Sequence, residues 1–566
     1  MIKYAYMDEL QEKIKTCVKS LYGLEITPNI SAVPAELAGD YACNVAMQLA
    51  GKLGKNPREI ATEIVAKMGE ELDAELTVAG PGFINITLSG QYLQKKLAEN
   101  WTEHYGENQS GEGKVALVEF PSINIAKPYS VGHLRPGTQG WSAKRLLEAN
   151  GWKVVSDNHL GDVGTPFGIW AVGFERFEKN ADDVTIYDLG KIYIQMKADL
   201  KAEAEANKHE LADEVQNWLM RLEAGDEEAV QLSERFKSIS LKHMHEVMGR
   251  LGIATDLEMG ESCFVERGKD AVKKYLAAGK FEENDDGSVI CRLDEYGIDV
   301  PMLMLKSNGT ALYATTDLGC LLYREEEVGA DLVVYAVGAE QKFYFEQLFA
   351  MAKKLGIKLN CYHLWYGTID QLSPEGKREK MSSRKGVVLL EDMLDDAEKR
   401  VSENFGSELE ADDIKKIAVG AIKFSDFVAD RKTGILYDPN KIFALTGQSG
   451  PFCQYADVRM RRILAKNADF ARVDFADYDF EAEKPVLKML LDYPRLIANV
   501  VENFEMHKIA GFCFELAQEM NRYYETAPIS RSDDATRSAR LWLVEKADAV
   551  LAHALDLLGI EIPTRM

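Results

Sequence analysis

Residues 115–156 read as one βαβ unit, and that reading confines the chain to folds built on a parallel sheet. Residues 115–120 are a short apolar run suited to a buried strand, and 139–150 carry Trp141, Leu146 and Leu147 at helical spacing. Residues 153–156 begin a second strand. Two parallel strands need a crossover between them, and a helix in that place covers one face of the sheet. Between the first strand and its helix, Asn124, Lys127, Ser130, Gly132, His133 and Arg135 crowd into twelve residues. Open parallel sheets bind ligands beyond the carboxyl ends of their strands, which is where this loop falls. Donors and cations gathered there, ahead of a helix start, call for an anionic ligand.

At 566 residues the chain has room for roughly three to four domains. Residues 1–110 combine a helical beginning, the amphipathic run GDYACNVAMQLAGKLG and a helix start at Asn56 and Pro57. A Gly80-Pro81-Gly82 turn then leads into a strand. The polar stretch ENQSGEGK, 107–114, reads as a linker. Residues 173–300 read as a charged, solvated helical insertion with an apolar stripe of Leu211, Val215, Trp218, Leu219 and Leu222. VPMLML, LYATTDLGCLL and DLVVYAVG then read as a resumption of the parallel sheet, and from about residue 412 the pattern is continuously helical. The expected fold class is α/β: a Rossmann-like parallel-sheet domain over 111–435 with its helical insertion, an N-terminal α+β domain over 1–110, and an all-α helical bundle over 436–566.

The net charge of −24 argues against a generally basic nucleic-acid binder, but phosphate contacts need only a local strip. Residues 441–466 supply one. Lys441, Arg459, Arg461, Arg462 and Lys466 face a single acid, Asp457, and are interleaved with Phe443, Phe452 and Tyr455. The eight cysteines form no CxxC or Cys/His cluster, so neither a zinc site nor a disulfide framework is expected. No run approaches the roughly 18 apolar residues of a membrane span, and the first residues lack a secretory pattern. A cytoplasmic location follows as the expectation, with no membrane partner.

A second basic stretch, REKMSSRKG at 378–386, sets Lys377, Arg378, Lys380, Arg384 and Lys385 around two serines. Alone it is an ordinary surface loop. Paired with SVGHLR about 250 residues earlier, it resembles the KMSKS and HIGH signatures of class I aminoacyl-tRNA synthetases. Longer strings narrow the resemblance to arginyl-tRNA synthetases: EFPSINIAKPYSVGHLR, NHLGDVGTPFG, LKSNGTALYATTDL, VGAEQKFYFEQLF, GQSGPFCQYADVRMRRIL and the terminal PTRM. It spans nearly the whole chain and is weakest across 173–300. It implies activation of L-arginine by ATP, with Mg²⁺ accompanying the nucleotide and no dedicated protein metal cage. Pyrophosphate leaves, and arginine passes to the 3′-terminal adenosine of tRNA(Arg). A monomer satisfies this reading.

In-line attack of a carboxylate on the α-phosphorus of ATP depends on positioning and charge neutralisation more than on acid-base groups. His133, Lys380, Arg384, Lys385 and Lys127 are the candidates for that work, and Ser130, Gly132, His133, Met381 and Ser382 for holding ATP. Arginine is a planar cation with five donors, best met by carboxylates. Tyr313 and Asp317, four apart, share one face of a helix. The resemblance implies that Tyr313, Asp317, Glu119 and Gln341 line the side-chain pocket, and it sets Ser122, Asn124 and His133 at the α-amino and carboxylate ends. For tRNA it implies Gln448, Tyr455, Arg459 and Arg462 in an anticodon-binding bundle, and Phe83 and Asn85 in a first domain that meets the tRNA elbow.

The chain departs from the family pattern in several places. Ser130 stands at the first signature histidine, Ser383 at the second lysine of the KMSKS-type loop, and Tyr344 where a histidine is common. Pro121 and Ile123 alter the approach to Asn124, while Pro136 falls early enough in its helix to be tolerated. Ser130 leaves a second reading open, a tRNA-holding relative that no longer activates arginine. Another class I ligase or nucleotidyltransferase is the third, opposed by the Tyr313/Asp317 pair.

Overall fold

The computed structural model describes the chain apart from residues 1–4, 34–38, 70–73, 126, 163, 178–183, 374–375, 382–387, 407 and 531. It forms two compact units, one of residues 1–110, 455–502 and 511–554, the other of 111–454, 503–510 and 555–566.

The first unit begins with helix α1 (Ala5–Tyr22), strands β1 (Ile30–Ala32) and β2 (Tyr41–Cys43), and helices α2 (Val45–Leu53) and α3 (Pro57–Met68). Strands β3 (Ala74–Ala79) and β4 (Phe83–Leu88) and helix α4 (Gly90–Asn100) follow. The strands pair antiparallel in the order β1-β2-β4-β3. Asn56 caps α3 by accepting from the Arg58 amide at 2.9 Å, with Pro57 in the first turn, as the sequence suggests. Helices of the C-terminal region pack into the same unit. Tyr105 donates to the Leu490 carbonyl at 2.9 Å, and Lys488 reaches Asp40 at 3.0 Å. A Cβ on Gly90 would fall 2.4 Å from the backbone of Asp479 and Phe480, so this approach admits glycine alone.

The second unit holds the parallel sheet. Strand β5 (Val115–Glu119), helix α5 (Leu134–Ala149) and strand β6 (Lys153–Asp157) make the expected βαβ unit, with β5 and β6 parallel in register Val115 to Lys153. Helices α6 (Thr165–Arg176), α7 (Ile186–Glu205), α8 (Glu210–Glu223), α9 (Glu227–Arg250) and α10 (Val265–Ala277) form the insertion. Its stripe is a core: Leu211, Val215 and Trp218 are buried with Phe167, Ile169, Trp170 and Phe236.

Beyond Ala277 the helical expectation fails. Strands β7 (Glu282–Glu283), β8 (Val289–Leu293) and β9 (Ile298–Leu305) make a separate antiparallel sheet, so VPMLML does not rejoin the parallel one. Its apolar run looks like a strand buried on both faces, yet only Met302 and Met304 are buried while Val300 and Leu303 are exposed. One-sided burial belongs to an antiparallel strand with a solvated face.

Helix α11 (Tyr313–Glu326), strand β10 (Leu332–Tyr335), helix α12 (Lys342–Leu355) and strand β11 (Asn360–His363) complete the layer. The sheet order is β11-β10-β5-β6, all parallel. Leu117, Val333, Leu318, Leu321, Leu348 and Met351 share its core. The chain leaves β5 toward β6 on one side and returns as β10 on the other, so the topological switch lies between β5 and β10. The remaining elements are strands β12 (Ile369–Leu372) and β13 (Arg378–Lys380), helices α13 (Leu390–Phe405) and α14 (Ala411–Phe427), strand β14 (Ile435–Leu436) and helix α15 (Pro439–Ile442). Helix α16 (Gly450–Lys466) carries the boundary between the units, and α17 (Lys484–Asn503), α18 (His507–Thr526) and α19 (Asp534–Leu557) follow.

Candidate active site

The turn after β5 is the first wall of the site. Residues Val131–His133 form a 3-10 turn that runs into α5. The Ser130 amide donates to His133 Nδ1 at 3.0 Å, and the Ser130 hydroxyl lies 3.2 Å from the same nitrogen. A nitrogen that accepts from an amide carries no proton, so the ring hydrogen sits on Nε2. Burial pushes the His133 pKa down to about 4, which keeps the ring neutral at pH 7. His133 is therefore a neutral donor held in one tautomer, and Ser130 does the holding.

The backbone amides at this helix start, a place where such groups can face phosphate, are mostly used inside the chain. Val131 donates to the Val388 carbonyl at 3.0 Å, His133 to Ser130 at 2.8 Å, and Leu134 to Val131. Gly132 is exposed and brings no side chain to obstruct an approaching ligand. The same bonds join the two signatures. Leu390 donates to the Tyr129 carbonyl at 3.0 Å, and Ser130 bridges Leu389, so the segment leaving the KMSKS-type loop is tied to the signature turn. On the entering side Lys380 ends β13 opposite Asp370, and Met381 donates to Ile369 at 3.0 Å. Ser382, Ser383, Arg384, Lys385 and Gly386 lie outside the described residues.

Arg135, counted among the anion-seeking residues of the turn, proves structural. It is 1% exposed, its Nε reaches Asp426 at 2.6 Å, and its Nη1 donates to the carbonyls of Gly367 and Thr433. Gln139 donates to the same Asp426 at 2.9 Å, fastening α5 to α14. A Cβ on Gly140 would lie 2.3 Å from the Phe120 ring, so glycine sets how closely α5 approaches the end of β5. Lys127 lies 5.5 Å from the Tyr193 ring centroid, and partial burial with Lys197 nearby holds its pKa below the ordinary lysine value.

The second wall is acidic. Glu119, at the end of β5, is buried; it accepts from Arg324 at 2.6 Å and from Ser122 at 3.1 Å. Arg324 also meets Asp157 at 3.1 Å. Ser122 holds a left-handed φ of 54°, Asn124 is exposed and bridges Gly161, and Gln341 is exposed just after β10. Tyr313 and Asp317 open α11 on one face, Tyr313 at 68% exposure and Asp317 half-buried. Tyr344, in the first turn of α12, donates to Asp317. Burial raises the Asp317 pKa above the usual carboxylate value.

Sequence reasoning missed two residues here. Glu261 reaches this wall because Leu160 donates to Met259 at 3.0 Å and Glu261 to Leu160 at 2.9 Å, laying the segment after α9 beside the end of β6. Its carboxyl is pushed up to about 8 by burial, then by the charges of Asp317, Asp162 and Glu119. Among the described residues no lysine or arginine side chain pairs with Asp317 or Glu261. His159 is buried at the end of β6, close enough for charge interaction with Glu119 and Asp317, and its Nδ1 has no partner among the described residues. Only the NHLGD string hinted at His159; nothing local marked Glu261.

The remaining predicted residues lie elsewhere. Phe83 and Asn85 point to the outer face of β4 while Ile84, Ile86 and Leu88 are buried. Tyr455, Arg459 and Arg462 share one face of α16 by spacing; Arg459 lies 4.6 Å from the Tyr524 ring and donates to Asn521 at 3.1 Å. Gln448 is exposed in the other unit, ahead of α16. Of the aromatics interleaved with the basic strip, Phe443 is buried, Phe452 half-buried and Tyr455 exposed. Asp457, the strip's one acid, is buried and pushed up to about 8 by burial and Asp548. Among the described residues Asp430, Glu505 and His507 lie within 4.8 Å of one another, close enough for metal ligation, but none is a predicted site residue and Glu505 already meets Lys508 at 2.6 Å. No helix among the described residues is long and apolar enough to cross a membrane.

A parallel sheet whose switch point carries the SVGHLR turn, tied to the segment that follows the KMSSR stretch, fits a class I aminoacyl-tRNA synthetase. Residues 94–438 match the family model "tRNA synthetases class I (R), catalytic domain". Residues 453–566 match the DALR anticodon binding domain and 8–88 the arginyl tRNA synthetase N terminal domain. An arginine–tRNA ligase of Lactococcus lactis subsp. lactis (strain IL1403) is 32% identical over 99% of this chain and 100% of its own. One from Streptococcus pneumoniae (strain Hungary19A-6) is 35% identical over 92% and 93%. The Thermus thermophilus arginyl-tRNA synthetase structure shares the fold with a TM-score of 0.80, at 23% identity and 99% coverage of both chains. The chain belongs to the arginyl-tRNA synthetase family.

Proposed function

We propose that this chain carries out its family's reaction, as an arginine–tRNA ligase, through the two walls described above. The observation that carries the reading is the pair Asp317 and Glu261, carboxylates without a lysine or arginine partner among the described residues, close enough to Glu119 at the end of β5 for charge interaction. A guanidinium is the planar, permanently charged donor that such a pair accepts. Tyr313 and Gln341 flank it. Glu119 is already balanced by Arg324 and Ser122, so direct recognition of the guanidinium passes to Asp317 and Glu261. Ser122, Asn124 and His133 face the α-amino and carboxylate ends.

The substrate carboxylate then attacks the α-phosphorus of ATP, arginyl-adenylate forms, and pyrophosphate leaves. His133, donating through Nε2, binds a phosphate oxygen without adding charge to the ground state. Lys380, Arg384 and Lys385 offset the charge that grows on pyrophosphate, with Lys127 on the opposite side. Ser130, Gly132, Met381 and Ser382 line the nucleotide, which enters as its Mg²⁺ complex. The 2′-hydroxyl of the terminal adenosine of tRNA(Arg) attacks the activated carbonyl and AMP leaves.

Residues 111–435 carry this chemistry. Residues 436–566, through Gln448, Tyr455, Arg459 and Arg462, read the anticodon, and 1–110, through Phe83 and Asn85, meet the tRNA elbow. The protein acts as a cytoplasmic monomer. The test is charging of unfractionated tRNA with each amino acid and ATP. Arginine alone should be esterified; a sample that binds tRNA and forms no arginyl-tRNA would restore the reading of an inactive relative.

A further inference from the structure

Asp317 and Tyr344 lie near the starts of neighbouring helices, α11 and α12, and the phenol hydroxyl of Tyr344 donates to one oxygen of the Asp317 carboxylate. A guanidinium bound through two parallel hydrogen bonds requires a carboxylate whose plane is fixed. The terminal torsion of an aspartate is broad, so its backbone alone does not fix that plane. At Glu119 the plane is fixed by Arg324, at the cost of neutralising the charge. A tyrosine does it without introducing a cation. Its ring is anchored edge-on against Phe345, with centroids 5.8 Å apart at 79°, so the hydroxyl is presented from a braced position. One oxygen of Asp317 is engaged in this way, and the carboxylate keeps its charge for a ligand.

We infer that Tyr344 is a positioning residue for arginine selection: it acts through Asp317, holding that carboxylate in the orientation that receives the guanidinium. The inference rests on the pocket reading given above, and three variants separate the two. Tyr344→Phe removes the hydroxyl and keeps the ring. It should raise the KM for arginine about tenfold, as loss of a hydrogen bond to a charged group does, and leave kcat, the KM for ATP and the melting temperature unchanged. Asp317→Asn should lower kcat/KM for arginine by a hundredfold or more, on the order of other buried charge pairs that lose a partner. In the Asp317→Asn background, adding Tyr344→Phe should change kcat/KM by less than about twofold, because its only route is already gone.

An unchanged arginine KM in Tyr344→Phe, an equal rise in the ATP KM, or a full additional loss in the double variant would each overturn the positioning role. If Asp317→Asn alone left arginine kcat/KM near wild type, the pocket reading itself would fall. If Asp317→Asn were defective and Tyr344→Phe normal, the pocket would stand without Tyr344.

Discussion

Two acidic clusters gather about the carboxyl edge of the parallel sheet, and they are built in opposite ways. In the first, Glu119 and Asp157 close on Arg324, all three buried, so a cation of the fold itself meets both carboxylates. In the second, Asp317 and Glu261 have no lysine or arginine partner among the described residues; Asp317 accepts from a neutral phenol with His159 nearby, and both carboxyl pKa values are raised. Buried carboxylates are tolerated when a cation or several donors meet them, and a set left short of positive charge marks where a cationic ligand belongs. On the proposed reading, the first cluster is architecture and the second is the receptor for arginine.

The largest effect that would test this division is on stability. Arg324→Met should strand Glu119 and Asp157 and lower stability by about 3–5 kcal/mol, seen as a lower melting temperature. A variant that melted normally but lost arginine would move Arg324 into the receptor. Asp317→Ala should do the reverse, with an unchanged melting temperature and arginine kcat/KM down by about 2–5 kcal/mol, roughly thirtyfold to several thousandfold. Near-normal charging by that variant would remove the specificity assignment.

On the nucleotide side, His133→Ala should slow arginine-dependent pyrophosphate exchange about 10²–10³-fold, the range for loss of one preorganised donor, with little change in the arginine KM.

On the proposed reading, Glu261 should make arginine binding pH-dependent. Its folded pKa, raised from 4.5 to about 8, means the fold favours the neutral acid. That contribution is full below the unfolded value and is lost as pH rises through about 8. Without arginine the melting temperature should therefore fall between about pH 4.5 and 8 and level off toward pH 9. Arginine, which prefers the ionised acid, should restore it and show a lower KM at the higher pH. Glu261→Gln should flatten both trends, and trends that persisted in the variant would place the titration elsewhere.

The smallest change expected is from Ser130→Ala. The bond that holds His133 comes mainly from the backbone amide, so activation should fall less than about tenfold. Ser130→His should act on the activation rate rather than on the affinity for arginine.

These contrasts also show how far the amino-acid order reaches. The βαβ unit, the Asn56 cap and the Tyr313/Asp317 face of α11 were legible because periods of two and 3.6 residues and capping chemistry are local. The signature loops were legible as paired strings. Arg135 misled, since a basic residue in a loop rich in donors and cations looks the same whether its partner is a phosphate or a buried Asp426. The strand in VPMLML misled because an apolar run does not say which side chains face water.

What the sequence determined by itself was the class of sheet, the place where it binds ligands and the family's chemistry, all carried by short-range patterns. What only the tertiary structure decided was which charges are already balanced. Glu119 finds Arg324 at a separation of 205 residues, and Glu261 reaches the pocket only because the backbone near Leu160 pairs with that near Gly260 across the insertion. Whether a buried charge is neutralised is settled by what lies within a few ångströms in space, and distance along the chain carries no record of that.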